Sequence, residues 1–276
     1  MQSIPRGILE KFERLTAQLK VEENALVALS GGVDSSLVAA AAKTALGDRV
    51  VAVTAESATL PPGELEEARM VAEKLGLKHF VVRVDELRNS AFVKNTPNRC
   101  YHCKKELIRE LKRIAAQEGI KTILEGTNAD DLVAHRPGAQ ALREEEVRSP
   151  LAEVGLTKDE IRILAEALQL PTAGKPSMAC LASRFPYGEK ITADRLFKVA
   201  EAERIIRSMT DVKQLRVRLH GNIVRVEVDR VERSRFFDAK LLDMITEELH
   251  KLGFTYVTLD MDGYRSGSMN EALKRR

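Results

Sequence analysis

The sequence predicts an α/β protein: a parallel sheet with helices on both faces, followed by a smaller α/β domain. Three observations carry this. Short apolar runs alternate with helix-length amphipathic segments through the first half of the chain, the pattern of parallel βαβ units. Those runs are apolar throughout and stop abruptly at loops rich in Gly, Ser, Asn and Asp, as strands covered on both faces do. Past residue 210 the pattern becomes strict alternation on either side of Gly221-Asn222, a hairpin signature. The expected division is 1–185 for the first domain and 186–276 for the second.

The elements follow in order. Ile8, Leu9, Phe12, Leu15 and Leu19 recur at helical spacing over residues 5–20. Residues 25–29 (ALVAL) form a buried strand, and the alanine-rich stretch 37–46 a helix. A second strand is expected at 50–55, a helix at 62–75 beginning near a proline and closing at Gly76, and a third strand at 79–84. A helix at 101–117 stops at Gly119, and residues 121–124 form a fourth strand. Thr157 is placed to cap a helix with Glu160 as the reciprocal partner of a capping box, and Pro171 ends that helix. A Pro- and Gly-containing loop runs from 172 to 187. Then come a helix at 193–209, hairpin strands at 215–219 and 223–228, a helix at 240–252 and a strand at 256–259.

At 276 residues and 44% hydrophobic content the chain can bury a sizeable core. Lysine and arginine number 44 against 41 acidic residues, a net charge of +3 that does not call for a nucleic-acid partner. No apolar run is long enough for a membrane span. The N-terminal stretch from Met1 to Arg6 lacks an apolar signal core, so a cytoplasmic location is expected. Three cysteines are too few, and odd in number, for a disulfide framework.

Two loops fall at strand carboxyl ends, where open α/β sheets bind ligands. The first, Ser30-Gly31-Gly32-Val33-Asp34-Ser35-Ser36, joins a strand to a helix. Its glycines allow successive N–H groups to turn toward one anion, and its hydroxyls and the helix end add donors, so a phosphate is the natural guest. It lacks the lysine of a Walker loop. Asp34 would repel a phosphate unless it orients the loop or holds Mg²⁺. The second loop is Glu125-Gly126-Thr127-Asn128-Ala129-Asp130-Asp131, for which an Asx-rich turn after a strand is the lesser alternative reading.

The first string resembles the PP-loop of the ATP pyrophosphatases, and the second resembles that superfamily's other nucleotide-side segment. The resemblance covers roughly residues 20–185. It implies a Rossmann-like parallel sheet carrying the PP-loop, cleavage of ATP between its α and β phosphates with Mg²⁺, and transfer of AMP to a carboxylate or carbonyl oxygen. The residues it assigns to the nucleotide are Ser30, Gly31, Gly32, Asp34, Ser35, Ser36, Gly126, Thr127 and Asp130.

Cys100 and Cys103 stand at the start of a helix, and Cys180 lies in the loop Gly-Lys-Pro-Ser-Met-Ala-Cys-Leu-Ala-Ser-Arg-Phe-Pro-Tyr-Gly. Zinc would want a fourth ligand such as His102. A redox pair lacks a thioredoxin-like context. Three thiolates can hold a [4Fe–4S] cluster with one iron open, and buried inert thiols are the ordinary alternative. Lys175 and Arg184 flank Cys180 in sequence and would favour its thiolate.

The string from Gly174 to Gly188, with the PP-loop, is similar to the LarE family of ATP-dependent sulfur transferases, and that similarity extends over nearly the whole chain. It implies conversion of the carboxylates of pyridinium-3,5-biscarboxylic acid mononucleotide to thiocarboxylates for the nickel-pincer nucleotide of lactate racemase. Many relatives carry only the cysteine matching Cys180 and sacrifice its sulfur. Cys100 and Cys103 depart from them and match a three-cysteine subgroup associated with a [4Fe–4S] cluster, with sulfide or another donor supplying sulfur. Cys180 is then the catalytic residue, with Cys100, Cys103 and Cys180 the cluster ligands. The family also implies a homo-oligomer.

Arg216 and Arg218 alternate with Leu215, Val217 and Leu219, so both face one side of a strand. Guanidinium groups so spaced suit a phosphate, although a solvated sheet face is an equal reading of the pattern. Their position matches the family's substrate-phosphate arginines, and Arg184 joins them as a substrate contact. Lys190, Arg195 and Arg225 are expected on the surface, and Asp260 and Asp262 in a turn. A tRNA thiolase with the same loop would need an RNA-binding module, which is not visible. An amidating synthetase would need ammonia and no cysteine.

Overall fold

The computed structural model describes residues 4–133, 137–176, 178–265 and 267–270. Met1, Gln2 and Ser3 of the N-terminal stretch and Ser177 of the 174–188 string lie outside the described residues. The chain forms two compact units, residues 1–89 with 97–177, and residues 90–96 with 178–276. The division therefore falls before Met178 rather than after Phe185, which places Cys180 in the second unit. Asn95 accounts for the difference. Its amide donates to the carbonyl of Pro186 at 2.7 Å and its own carbonyl accepts from the Gly188 N–H at 2.9 Å, joining 90–96 to the later segment.

The first unit holds a four-stranded parallel sheet in the order β3-β2-β1-β4, from β1 (Ala25–Ala28), β2 (Val50–Glu56), β3 (Lys78–Arg83) and β4 (Thr122–Leu124). The strand period of two sends alternate residues to two separate cores. Ala25, Val27, Val50 and Ala52 pack with helices α1 (Arg6–Leu19), α2 (Val33–Leu46), α3 (Glu64–Lys74) and α9 (Lys158–Ala167). Leu26, Val51 and Val53 pack on the other face with α5 (Arg99–Gln117) and α7 (Pro137–Glu144). A strand covered on both sides has no polar face to show, which is why ALVAL reads as a continuous apolar run. The remaining short helices are α4 (Ser90–Val93), α6 (Ala129–Val133) and α8 (Pro150–Glu153).

Among the helix starts that differ from expectation, two matter for the site. Helix α2 begins at Val33 rather than 37, because Gly32 is its N-cap and the Ser35 and Ser36 hydroxyls donate back to the Gly32 carbonyl at 3.1 and 2.8 Å. Asp34, Ser35 and Ser36 are thus its first turn. Helix α5 begins at Arg99, so Cys100 and Cys103 are both helical. The Thr157–Glu160 capping box forms as expected.

The second unit holds a three-stranded sheet, β5 (Leu215–His220), β6 (Ile223–Val228) and β7 (Tyr256–Leu259), antiparallel at the hairpin and parallel between β6 and β7. Leu215, Val217, Leu219, Val224, Val226 and Val228 are buried on one face. Helices α10 (Ala193–Thr210) and α11 (Ala239–Lys251) complete the unit. Among the described residues no helix is long and apolar enough to cross a membrane.

Candidate nucleotide and sulfur sites

In the first unit the loop after β1 is shaped by a close approach. Gly31 adopts φ +78°, and a Cβ built there would lie 2.3 Å from the Glu64 carbonyl oxygen at the start of α3. Only glycine meets both demands. Ser30 N–H donates to the Ser35 hydroxyl at 3.1 Å, and the Ser30 and Ser35 hydroxyls lie 3.0 Å apart, closing the loop on the first turn of α2. The α2 N-terminus has no side-chain cap, so its first N–H groups keep their capacity for an anion. This is a built phosphate cradle, and the residues present fit ATP.

The loop after β4 lies directly against it. A Cβ at Gly126 would come 2.8 Å from the Ser35 backbone nitrogen. Asn128 donates to Asp34 Oδ1 at 3.2 Å, Thr127 N–H donates to Glu125 Oε1 at 2.8 Å, and Asp130 Oδ2 accepts from the Lys158 N–H at 2.8 Å. The expected nucleotide residues are therefore brought together in one place. Two lysines that sequence reasoning did not assign to the nucleotide also reach it. Lys158 pairs with Asp34 through its ammonium. Lys175 donates to the Gly31 carbonyl at 3.1 Å and pairs with the buried Glu64 at 2.7 Å. Lys175, read as a cation beside Cys180, is thus committed to the loop. The signal for Lys158 was its place in the capping-box string Thr-Lys-Asp-Glu, which fixes it at a helix start without revealing what lies opposite.

Cys100 and Cys103 occupy positions i and i+3 of α5, one face of the helix. Cys100 is exposed and Cys103 half-buried. The Cys103 thiol donates to Glu86 Oε1 at 3.7 Å, and the Thr59 hydroxyl donates to the same oxygen at 3.2 Å. Two thiols so spaced suit one soft metal site as a pair. The third, Cys180, belongs to the second unit, and no group of three or more His, Cys, Asp or Glu able to hold a metal is gathered among the described residues.

In the second unit Cys180 opens a 3-10 turn, Leu181–Arg184, with its side chain exposed while Leu181 and Ala182 are buried. Arg184 holds that turn. It is fully buried, pairs with Glu203 through Nε at 2.7 Å and Nη2 at 3.0 Å, and donates from Nη1 to the carbonyls of Ala179 at 2.8 Å and Cys180 at 3.3 Å. Expected as a substrate contact, Arg184 instead spends its fork on Glu203 and on the backbone that presents Cys180. Glu203 is buried, which pushes its carboxyl up. The charge and hydrogen bonds of Arg184, with Arg207 and the Val217 N–H, outweigh that and hold it below the ordinary value.

Arg216 and Arg218 share one sheet face, as expected, but it is not a solvated one: they are 1% and 5% exposed. Arg218 pairs with Glu227 at 2.9 Å and donates to the Ser183 carbonyl at 2.8 Å. Arg216 lies over the Tyr264 ring, 5.3 Å from its centre, and donates to the Leu215 carbonyl at 2.7 Å. Burial, then the nearby charge of Arg184, pushes its pKa down to about 10, against the opposing pull of Glu203. Arg225, expected on the surface, stands directly opposite Arg218 and pairs with Glu227 at 2.9 Å and Asp260 at 3.3 Å. His220 completes the row on β5. Buried Arg225 Nε and His220 Nε2 find no partner among the described residues. A face with this much buried positive charge and unspent nitrogens suits an anionic ligand.

A parallel sheet with a phosphate cradle after its first strand, closed by a second loop after its fourth, defines a PP-loop nucleotide-binding domain. The chain belongs to the asparagine synthase family, whose model matches residues 8–231. It is 42% identical to the protein slr1717 of Synechocystis over 265 residues, 96% of this chain and 98% of that one. It is 37% identical to the pyridinium-3,5-bisthiocarboxylic acid mononucleotide synthase of Lactiplantibacillus plantarum over 266 residues, 96% of this chain and 95% of the relative. A more distant relative is the tRNA-specific 2-thiouridylase MnmA of Rickettsia africae, 31% identical over 55% of this chain and 51% of its own length.

Proposed function

We propose that the protein is an ATP-dependent sulfur transferase that converts carboxylates of pyridinium-3,5-biscarboxylic acid mononucleotide to thiocarboxylates through acyl-adenylates. The observation that carries this reading is the exposed Cys180 on a turn clamped by buried Arg184, in a chain that also has the ATP cradle. End-to-end similarity to the L. plantarum synthase supports the substrate. A carboxylate oxygen is a poor leaving group. Attack by the substrate carboxylate on the α-phosphorus converts that oxygen to part of AMP, and pyrophosphate leaves into the loop Ser30-Gly31-Gly32, where backbone N–H groups and hydroxyls meet its charge. Asp34 and Asp130 supply carboxylate oxygens suited to Mg²⁺. Sulfur then displaces AMP from the acyl carbon.

Cys180 is the proposed sulfur-bearing residue, and Arg216 and Arg218, with the second unit's charged face, anchor the substrate phosphate. Cys100, Cys103 and Cys180 are the proposed thiolates for a [4Fe–4S] cluster, whose open iron supplies a holding point for transferable sulfide when bound. The second unit is also proposed to carry homo-oligomer contacts, in a cytoplasmic enzyme.

The test is incubation of anaerobically purified protein with ATP, Mg²⁺, the pyridinium dicarboxylate nucleotide and sulfide, following AMP, pyrophosphate and the product mass. Thiocarboxylate with both by-products is expected. Cys180→Ala is expected to keep substrate-dependent ATP–pyrophosphate exchange while losing thiocarboxylate; thiocarboxylate formation by that variant would overturn sulfur transfer through Cys180. Iron and acid-labile sulfide analysis, with intact protein mass after many turnovers, separates a cluster from loss of the cysteine sulfur. The similarity to MnmA favours one other reading, tRNA thiolation, which the same assay decides with bulk tRNA as acceptor.

A further inference from the structure

Cys100 and Cys103 lie within one turn of each other, and the start of α5 is wound to bring them closer. The Asn98 carbonyl accepts the Tyr101 N–H at 3.0 Å and the His102 N–H at 3.4 Å, so the shorter bond spans three residues rather than four. Winding of that kind eclipses side chains three apart. On a regular helix such Cβ atoms are about 5–6 Å apart, and a disulfide needs about 3.5–4.5 Å. The first turn of a helix can supply the difference, because its N–H groups have no intrahelical partner to lose. The Asn98 side chain makes no capping bond that would resist the movement.

The two sulfurs differ in access and in surroundings. Cys100 is open to solvent and Cys103 is half-buried. Behind Cys103 stands Glu86, the first residue of the 3-10 turn Glu86–Arg88 that follows β3, and it is only 4% exposed. Its Oε1 accepts from the Cys103 thiol at 3.7 Å and from the Thr59 hydroxyl at 3.2 Å. Its Oε2 is buried and has no partner among the described residues. A buried carboxylate with one oxygen unserved depends heavily on the donors it does have. Oxidation of Cys103 removes the hydrogen it donates and leaves Glu86 with the Thr59 hydroxyl. Glu86 therefore favours the reduced pair.

We propose that Cys100 and Cys103 are a reversible oxidation site, closing to a disulfide by exchange with a low-molecular-weight disulfide, and that Glu86 is the positioning residue that returns them to the dithiol. The Cys100 thiolate attacks one sulfur of the small disulfide and expels a thiolate. The Cys103 sulfur then attacks the Cys100 sulfur and expels the second, leaving Cys100 bonded to Cys103. The two cysteines together lose two electrons and two protons, and the small disulfide gains both as two thiols. In a reducing compartment such a bond is transient and sensing rather than structural. While it persists neither sulfur has a thiolate to give iron, so loading of the proposed cluster awaits reduction. That consequence rests on the cluster reading; the disulfide does not.

The test equilibrates iron-free, full-length protein anaerobically in mixtures of reduced and oxidised glutathione, alkylates the remaining thiols and reads the tryptic peptides by mass. Cys100 and Cys103 share one such peptide, residues 100–104, because Arg99 and Lys104 bound it. Wild type and Cys180→Ala are expected to yield this peptide unalkylated and lighter by two hydrogens than the dithiol, and excess reduced glutathione is expected to reverse the change. Cys103→Ser is expected to stop with one glutathione on Cys100. Wild type that stops at the same adduct, that stays alkylated at both sulfurs at every ratio, or that links either sulfur to Cys180 would overturn the proposal. Glu86→Leu is expected to move the equilibrium about 10-fold toward the disulfide, the lower end for a hydrogen bond to a charged group because a thiol is a weak donor. An unmoved equilibrium would overturn the part given to Glu86. If Glu86→Leu melts far below the wild type, Glu86→Gln decides, since it keeps the shape without the charge: a shift in the same direction supports the assignment and no shift overturns it.

Discussion

Gly31→Ala tests the claim that the loop's shape comes from close packing against α3, and Gly32→Ala is its control. At Gly31 two penalties add. A left-handed φ of +78° costs a residue with a Cβ about 1–2 kcal/mol. The new methyl would also lie 2.3 Å from the Glu64 carbonyl oxygen, a backbone atom that no rotamer change can move. The loop cannot retreat freely, because Lys175 bridges the Gly31 carbonyl and the Glu64 carboxylate. Relief requires a shift of the first turn of α3, an overpacking cost of about 1–3 kcal/mol. The sum, about 2–5 kcal/mol, corresponds to a fall in melting temperature of roughly 4–20 °C for a unit of this size. At Gly32 the nearest atom to a new Cβ is the Ser30 hydroxyl at 3.5 Å, and φ is −90°, so Gly32→Ala should cost less than about 1 kcal/mol. Melting curves by circular dichroism and ATP binding by calorimetry read both effects. Equal losses in the two variants, or a Gly31→Ala protein that melts and binds ATP like the wild type, would refute the packing argument.

Three further outcomes are expected. Arg184→Met leaves Glu203 buried without its main partner and should destabilise the second unit by about 3–5 kcal/mol, whereas Arg184→Met with Glu203→Leu should recover most of that in chemical unfolding. Because Glu203 sits below its ordinary 4.5 in the folded chain, its contribution is complete above that value and is lost as pH falls through the lower folded one; Glu203→Gln should flatten the acid limb of stability against pH, and an unchanged limb would contradict the assignment. Thr157→Ala removes the capping-box acceptor and should cost about 0.5–2 kcal/mol, visible as a lower urea midpoint.

Much of the fold was legible in the sequence because the local signals are strong. ALVAL could be read as a two-sided strand, since it contains no polar residue to face water. The Thr157–Glu160 box was recognisable because both partners are three residues apart and need no tertiary help. The hairpin was recognisable from its alternation and its Gly221-Asn222 turn. The start of α2 was placed late because serines near a helix N-terminus look like loop. Their hydroxyls become first-turn contacts only once Gly32 is fixed as the cap. The buried partner of Arg184 was not legible, because an arginine's sequence neighbours do not reveal which carboxylate lies opposite, and Glu203 is supplied by α10.

By itself the sequence determined the α/β alternation, the phosphate loop and the chemical types available to it, since these depend on residues adjacent along the chain. Tertiary structure alone decided how the loop's charge is balanced, because Lys158 and Lys175 arrive from more than a hundred residues away. It also decided that Cys180 is presented by a turn whose carbonyls are held by a buried arginine, and that Cys180 belongs to a different unit from Cys100 and Cys103. The physical reason is the same in each case. A buried charge is defined by its partner, and pairing across the fold leaves no spacing in the sequence to read.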